Sequence, residues 1–289
     1  MFKIIRRKIG RLNRRVTHQF FPRSAPPPVL CNSFPKSGTY LLIEIVGSIA
    51  PFRYYGGMAS WYCLNRNRVE LNKRYSINDV LQKLKAILPG EIIRGHVEAQ
   101  PDLVQFLAQS NVKHIFIYRD LRDVVISQFF YWEKGISADR WPFRYFKTLK
   151  NKEDKISFLI TGWPFKTVGG DFPDEVDYPN ISERFLLNLA WLSNENCLAV
   201  RYEDLISLEK RRAGLNSIAK FLLNTDDPNR VEAAVRDMEG GFDPSRSKTF
   251  RSGKTGEWRK YFSAEHVKLF KKYAGNTLIT LGYEKDLNW

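Results

Sequence analysis

Three cysteines in 289 residues, Cys31, Cys63 and Cys197, are too few, too scattered and odd in number for a disulfide framework. None lies in a C-x-x-C or Cys/His cluster, so a structural zinc site is not expected, and a reducing compartment fits. No apolar run reaches the roughly 18 residues of a membrane span, and the first residues lack the apolar core of about 7 to 15 residues that a secretory signal carries. No Gly/Ser/Pro-rich linker divides the middle of the chain, and no internal repeat occurs. A chain of this length buries roughly 75% of its unfolded surface without help from metal or disulfide. The expectation is one domain over residues 25–289. Also missing is a G-x-x-x-x-G-K-[ST] string, whose glycines precede the lysine and whose hydroxyl holds magnesium. That counts against the first rival reading, a P-loop nucleotide kinase or NTPase.

Acid is absent where base is densest. Residues 1–24 hold Lys3, Arg6, Arg7, Lys8, Arg11, Arg14, Arg15 and Arg23 with no Asp or Glu, so more than half of the formal net charge of +15 sits in this arm. Phe2, Ile5, Ile9, Leu12 and Val16 recur at steps of three and four, one face of a helix, with the arginines on the others. Such an arm reads either as a segment for an anionic membrane surface or as a solvated arm of its own domain. With no spanning or secretory signal, the expected location is cytoplasmic, peripheral to a membrane if the first reading of the arm holds.

What the rest contains is strands alternating with helices. Pro28–Cys31 is a short apolar run, followed by SFPKSGT and then a helical pattern through Leu41, Leu42, Ile45, Val46 and Ile49. In a strand–loop–helix unit, loop N–H groups and the helix dipole converge on one spot that suits a phosphate-like oxyanion. Lys36 adds a cation, Gly38 permits close backbone approach, and Ser37 and Thr39 offer hydroxyls. Residues 51–75, rich in Tyr, Trp, Gly and Arg without clear period, read as loop with small helical pieces. Glu91–Val97 and Val112–Tyr118 read as strands, the second running directly into a helix from Leu121 to Trp132. Residues 135–180, aromatic and poorly periodic, resemble a lid or substrate segment. Cys197–Tyr202 is a further strand, and helices are expected over Leu208–Leu223, Asn229–Met238 and Ala264–Leu281. The fold class is therefore α/β, a mostly parallel central sheet flanked by helices, with ligands bound beyond the carboxyl ends of the strands.

Four separated pieces ask for one explanation: SFPKSGT at 33–39, RGH at 94–96, YRDLRDVVIS at 118–127 and FRSGKTGEW at 250–258. Together they resemble the sulfotransferases that use 3′-phosphoadenosine 5′-phosphosulfate (PAPS), whose fold is P-loop-like, over about residues 28–262. The resemblance implies that Pro35, Lys36, Ser37, Gly38 and Thr39, with Tyr40 following, cradle the 5′-phosphosulfate. It implies that Arg119 and Ser127, eight residues apart, hold the 3′-phosphate, and that Arg251, Ser252 and Gly253 close over it, Ser252 replacing the usual lysine. Asp123 takes the family's usual acidic position. It further implies that His96 is the general base, with Lys36 and Arg94 as the cations at the reacting centre and no metal required. Tyr202 corresponds to another nucleotide-contacting position, with core packing as its alternative; a salt bridge to Asp120 or Asp123 is the alternative for Arg119. Two departures concern adenine. Leu41 stands where relatives carry a stacking tryptophan, leaving Trp61 as a candidate ring, and Ala233 and Ala234 offer no hydroxyl.

The implied reaction is in-line transfer of a sulfuryl group from PAPS to an acceptor hydroxyl. The acceptor is a small molecule, a lipid or a glycan, for which Trp141, Phe143, Tyr145 and Trp163 could supply ring contacts or simply pack. His18, His114 and His266 read as structural or exposed. A homodimer is compatible with the sequence, and nucleic acid is not the expected partner. A non-enzymatic binder of anionic polymers, using the arm and the Arg/aromatic mixture of residues 52–75, is the second rival.

Overall fold

The computed structural model describes residues 26–61, 77–135, 141–163, 178–243 and 253–289. Its centre is a parallel sheet of five strands: β1 (Val29–Ser33), β2 (Arg53–Trp61), β3 (Glu91–Val97), β4 (Lys113–Tyr118) and β5 (Cys197–Arg201), in the order β2-β3-β1-β4-β5. The innermost strand, β1, is buried at every residue and reads VLCNS, with few polar groups, as a strand covered on both faces must.

Alternate residues of these strands feed two cores. On one face Val29 and Cys31 of β1, Ile92 of β3 and Ile115 and Ile117 of β4 pack under α1 (Thr39–Ser48). The same face carries α8 (Tyr202–Ile206), α9 (Arg211–Leu223) and α10 (Pro228–Gly240). On the other, Leu30, Ile93 and Phe116 meet α4 (Leu121–Glu133), α6 (Lys152–Thr161) and α11 (Ala264–Thr280). The remaining helices are α2 (Ile77–Lys85), α3 (Pro101–Gln109), α5 (Trp141–Thr148) and α7 (Ile181–Leu186).

Two stretches differ from the sequence reading. The segment read as loop over 51–75 opens with β2, an edge strand whose pairing with β3 shifts register between Tyr54 and Met58, at Gly56 and Gly57. That bulge erases the two-residue period by which a strand is recognised. Within 135–180, residues 141–148 and 152–161 are helices rather than lid loop, and Phe143, Phe146, Ile156, Phe158, Leu159 and Ile160 are core. Trp163 is buried too, its ring edge-on to Tyr145 at 3.8 Å, so packing is the observed role of both.

Candidate active site

The carboxyl ends of β1, β3, β4 and β5 bring the charged turns together, as a parallel sheet requires. At β1 the chain leaves Ser33 through Phe34 and Pro35 and closes a turn in which Ser37 N–H donates to the Phe34 carbonyl at 3.2 Å. Lys36 sits in the left-handed region at φ 71° and Gly38 at φ 100°. For a lysine this costs about 1 kcal/mol, which is tolerable where a loop must turn its backbone N–H groups inward. No side chain caps the N-terminus of α1, and the first N–H groups of a helix have no intrahelical acceptor.

Gly38 has a second reason to be glycine. A Cβ there would lie 2.6 Å from the Tyr202 ring. Tyr202, at the start of α8, is buried and stacks its face under the Arg119 guanidinium at 4.4 Å. Close approach at Gly38 is thus to a side chain of the protein, and Tyr202 joins the loop to Arg119 as part of the core.

Arg119 follows β4 and precedes α4. Its Nη2 donates to the backbone carbonyl of Lys254 at 2.8 Å and to Asp123 at 3.3 Å, while its buried Nε has no hydrogen-bond partner among the described residues. Asp123, almost fully buried, also accepts from the backbone N–H groups of Gly256 at 2.7 Å and Trp258 at 3.0 Å. One carboxylate therefore ties the first turn of α4 to the segment from Gly253, itself at φ 64°, to Trp258. Ser127 lies half-buried two turns along α4. Arg251 and Ser252 fall outside the described residues, as do the arm and the side chains of Trp61 and Trp141.

Lys36 reaches towards the same place. Its ammonium lies 3.8 Å from the centre of the Tyr131 ring, one turn beyond Ser127 on α4. Burial, and then the charges of Arg119 and Lys134, lower its pKa to about 7. The charges acting on it are cations. Ser37 Oγ, fully buried, has no hydrogen-bond partner among the described residues. Buried donors without acceptors, beside a lysine crowded by positive charge, are what residues built to grip an anion look like.

On β3, Arg94 and His96 point to the α1 side of the sheet, while Gly95 faces the other way, where a Cβ would meet Leu30 at 2.7 Å and Asn32 Oδ1 at 3.0 Å. Arg94 donates to the Tyr40 hydroxyl and, at 3.2 Å, to the Met58 sulfur. His96 Nδ1 lies 3.1 Å from the Ser33 carbonyl and 3.1 Å from Ser33 Oγ, and Ser33 Oγ lies 2.6 Å from Thr39 Oγ1. A carbonyl can only accept, so the contact to Ser33 calls for a proton on Nδ1.

Sequence reasoning passed over Ser33 and Asn32. Asn32 Oδ1 accepts from Val97 N–H at 2.9 Å, and its Nδ2 donates to the Val97 carbonyl at 3.0 Å, fixing β3 one residue past His96. His114 Nε2 lies 3.1 Å from the same Nδ2, and burial drives its pKa down to about 3, so it stays neutral as a structural group. The only early sign of this clamp was an asparagine in an otherwise apolar strand.

The solved structures with similar folds include a mouse sulfotransferase crystallised with PAP, at 17% identity over 86% of this chain and 84% of that one, with TM-score 0.54. A retinol dehydratase in complex with retinol and PAP matches at 18% identity over 88% and 82%, with TM-score 0.52. At such identities the likeness is one of fold. A search by sequence alone found no match among the curated proteins. The family model described as the sulfotransferase domain matches residues 26–282, nearly the whole length, and the chain belongs to the sulfotransferase family.

Proposed function

We propose that this protein transfers a sulfuryl group from PAPS to a hydroxyl of its acceptor. The observation that carries the reading is Lys36, a lysine whose pKa is lowered to about 7 by burial and by two other cations, in a loop whose buried Ser37 Oγ lacks a partner among the described residues. The donor brings the activated sulfuryl group; the chain's residues bind, orient and move a proton. Lys36 and the N–H groups opening α1 take the 5′ anion. Arg119 and Ser127, with Arg251, Ser252 and Gly253 of the segment that Asp123 anchors, take the 3′-phosphate, for which a guanidinium fork suits a tetrahedral dianion.

His96 is the base. An acceptor hydroxyl is far too weak an acid to ionise near neutrality, and a neutral imidazole within hydrogen-bond reach removes the proton as transfer proceeds. Arg94 and Tyr40 supply polarity beside it. No step calls for a metal, because lysine, arginine and backbone amides provide the positive charge.

The acceptor is read as a hydroxyl-bearing apolar molecule. Fold neighbours titled as complexes with retinol and with androsterone support that class. No helix among the described residues is long and apolar enough to cross a membrane. As a separate part of the proposal, the enzyme works in the cytoplasm, with residues 1–24 bringing it to anionic membrane surfaces where such acceptors partition.

Calorimetry with adenosine 3′,5′-bisphosphate tests the donor, and absence of binding by the wild type would end the assignment. His96→Ala should keep bisphosphate affinity within about twofold and lose at least about a hundredfold in kcat. Unchanged turnover would remove His96 from the role.

A further inference from the structure

Residues 283–289 lie beyond the stretch that matches the sulfotransferase domain, yet their side chains are built into the site. The Tyr283 hydroxyl donates at 2.7 Å to Glu203, whose other oxygen accepts the backbone N–H of Asp120 at 3.0 Å. Glu284 accepts from Arg122 Nη1 at 2.5 Å, and Arg122 grips Asp120 through Nε at 3.0 Å and Nη2 at 2.7 Å. Asp120 in turn caps α4 by accepting from the Arg122 backbone N–H at 2.9 Å. Both acidic links end on Asp120, the residue immediately after Arg119.

The same segment reaches the other half of the clamp. The Arg122 guanidinium lies 4.3 Å from the Trp258 ring and 4.5 Å from the Trp289 ring, and the two indoles meet edge-on at 5.6 Å. The backbone N–H of Trp258 donates to Asp123, the carboxylate that also binds Arg119. Burial is nearly complete for Arg122, Asp120 and Trp258. The turn that carries Arg119 and the segment that follows Gly253 are thus braced from one short stretch of chain.

We infer that Tyr283, Glu284 and Trp289 are positioning residues for the 3′-phosphate clamp, holding the Arg119 turn and the Gly253–Trp258 segment in their binding geometry before the nucleotide arrives. The inference rests on the reading of the site as a PAPS site. Its physical content is preorganisation: a turn already fixed by buried charged hydrogen bonds loses no further freedom on binding, whereas a loosened one does. The proposed 3′-phosphate contacts are carried directly by this turn, whereas the loop around Lys36 is held first by β1 and α1 and meets the turn through the Tyr202 ring. Bracing should therefore appear as discrimination between nucleotides with and without a 3′-phosphate, which a general loss of stability would not alter.

The test is calorimetry of full-length wild type, Glu284→Gln, Tyr283→Phe and Trp289→Leu with adenosine 3′,5′-bisphosphate and with adenosine 5′-monophosphate, alongside each protein's melting temperature. Glu284→Gln and Tyr283→Phe keep side-chain shape and guard against simple failure to fold. Glu284→Gln should weaken the bisphosphate by about tenfold, as expected for losing a charge-assisted hydrogen bond, and leave the monophosphate within about twofold. Parallel weakening of both nucleotides, or no change in either, overturns the inference. A wild type that binds the two nucleotides equally overturns the donor reading itself, and the inference with it.

Discussion

Lys36 titrates far from where a free lysine does. An exposed lysine titrates near 10.4. Lys36 is held at about 7, first by burial and then by Arg119 and Lys134, although the Tyr131 face at 3.8 Å favours its ammonium form. In the free protein it is therefore part-neutral around neutrality, and an anion that binds the ammonium must raise its pKa and draw in a proton. Affinity for adenosine 3′,5′-bisphosphate should consequently fall as pH rises above about 7, approaching tenfold per unit until the bound-state pKa is reached. Calorimetry in buffers of different ionisation enthalpy should register proton uptake at about pH 8, and Lys36→Met should abolish it. A flat profile from about pH 6 to about pH 9 would contradict this account. The sign for folding is consistent. Between about 7 and 10.4 the unfolded chain binds the extra proton, so the free protein gains stability as pH rises through that window.

At the scale of elements, the unit β1–loop–α1 depends on Gly38 twice, through φ 100° and through the Tyr202 ring that a Cβ would meet at 2.6 Å. Gly38→Ala adds about 1 to 2 kcal/mol of backbone strain and also pushes Tyr202, on which Arg119 stacks. The expected result is a melting temperature lower by a few degrees and a bisphosphate affinity lower by at least about tenfold, read by calorimetry and thermal denaturation. Unchanged affinity would show that the ring yields freely. This unit was legible because its chemistry is local: an apolar run, a lysine before a glycine, then a helical period. The strands β3 and β4 and the helix α4 were legible for the same reason. What was not legible is tertiary. The bulge at Gly56 and Gly57 hid β2, and α5 and α6 are short helices, each burying only one face, whose few core residues, among them Phe143 and Phe146 on one and Ile156, Leu159 and Ile160 on the other, sit in a stretch of mixed composition. Of the site, the lysine, arginine and histidine came from motifs. The Asn32–Val97 clamp, the Ser33 link to His96 and the anchoring of Gly256 and Trp258 by Asp123 came only from the sheet's register and the folded chain. No spacing rule connects residues 65 or 135 positions apart.

Charge is divided at the scale of the whole molecule. The catalytic machinery proposed here lies in residues 33–253, whereas residues 1–24 hold eight of the basic side chains and no acid. Nucleotide binding needs short-range contacts in a buried loop, which salt screens weakly; attraction of a basic segment to a charged surface acts over a Debye length and is screened strongly. The two functions should therefore separate cleanly. Each arginine or lysine near an anionic bilayer contributes up to about 1 kcal/mol, which is the basis of the proposed reversible docking by the arm. The full chain should co-float with vesicles containing about 30% phosphatidylserine at about 0.1 M salt and be released at about 0.5 M. Deleting residues 1–24 should abolish flotation while leaving bisphosphate affinity within about twofold. If the shortened protein floats as well as the full chain, the membrane contact belongs to the domain. If it loses nucleotide affinity instead, the arm packs against the site, and the basic residues serve the anion that Lys36 and Arg119 are proposed to bind.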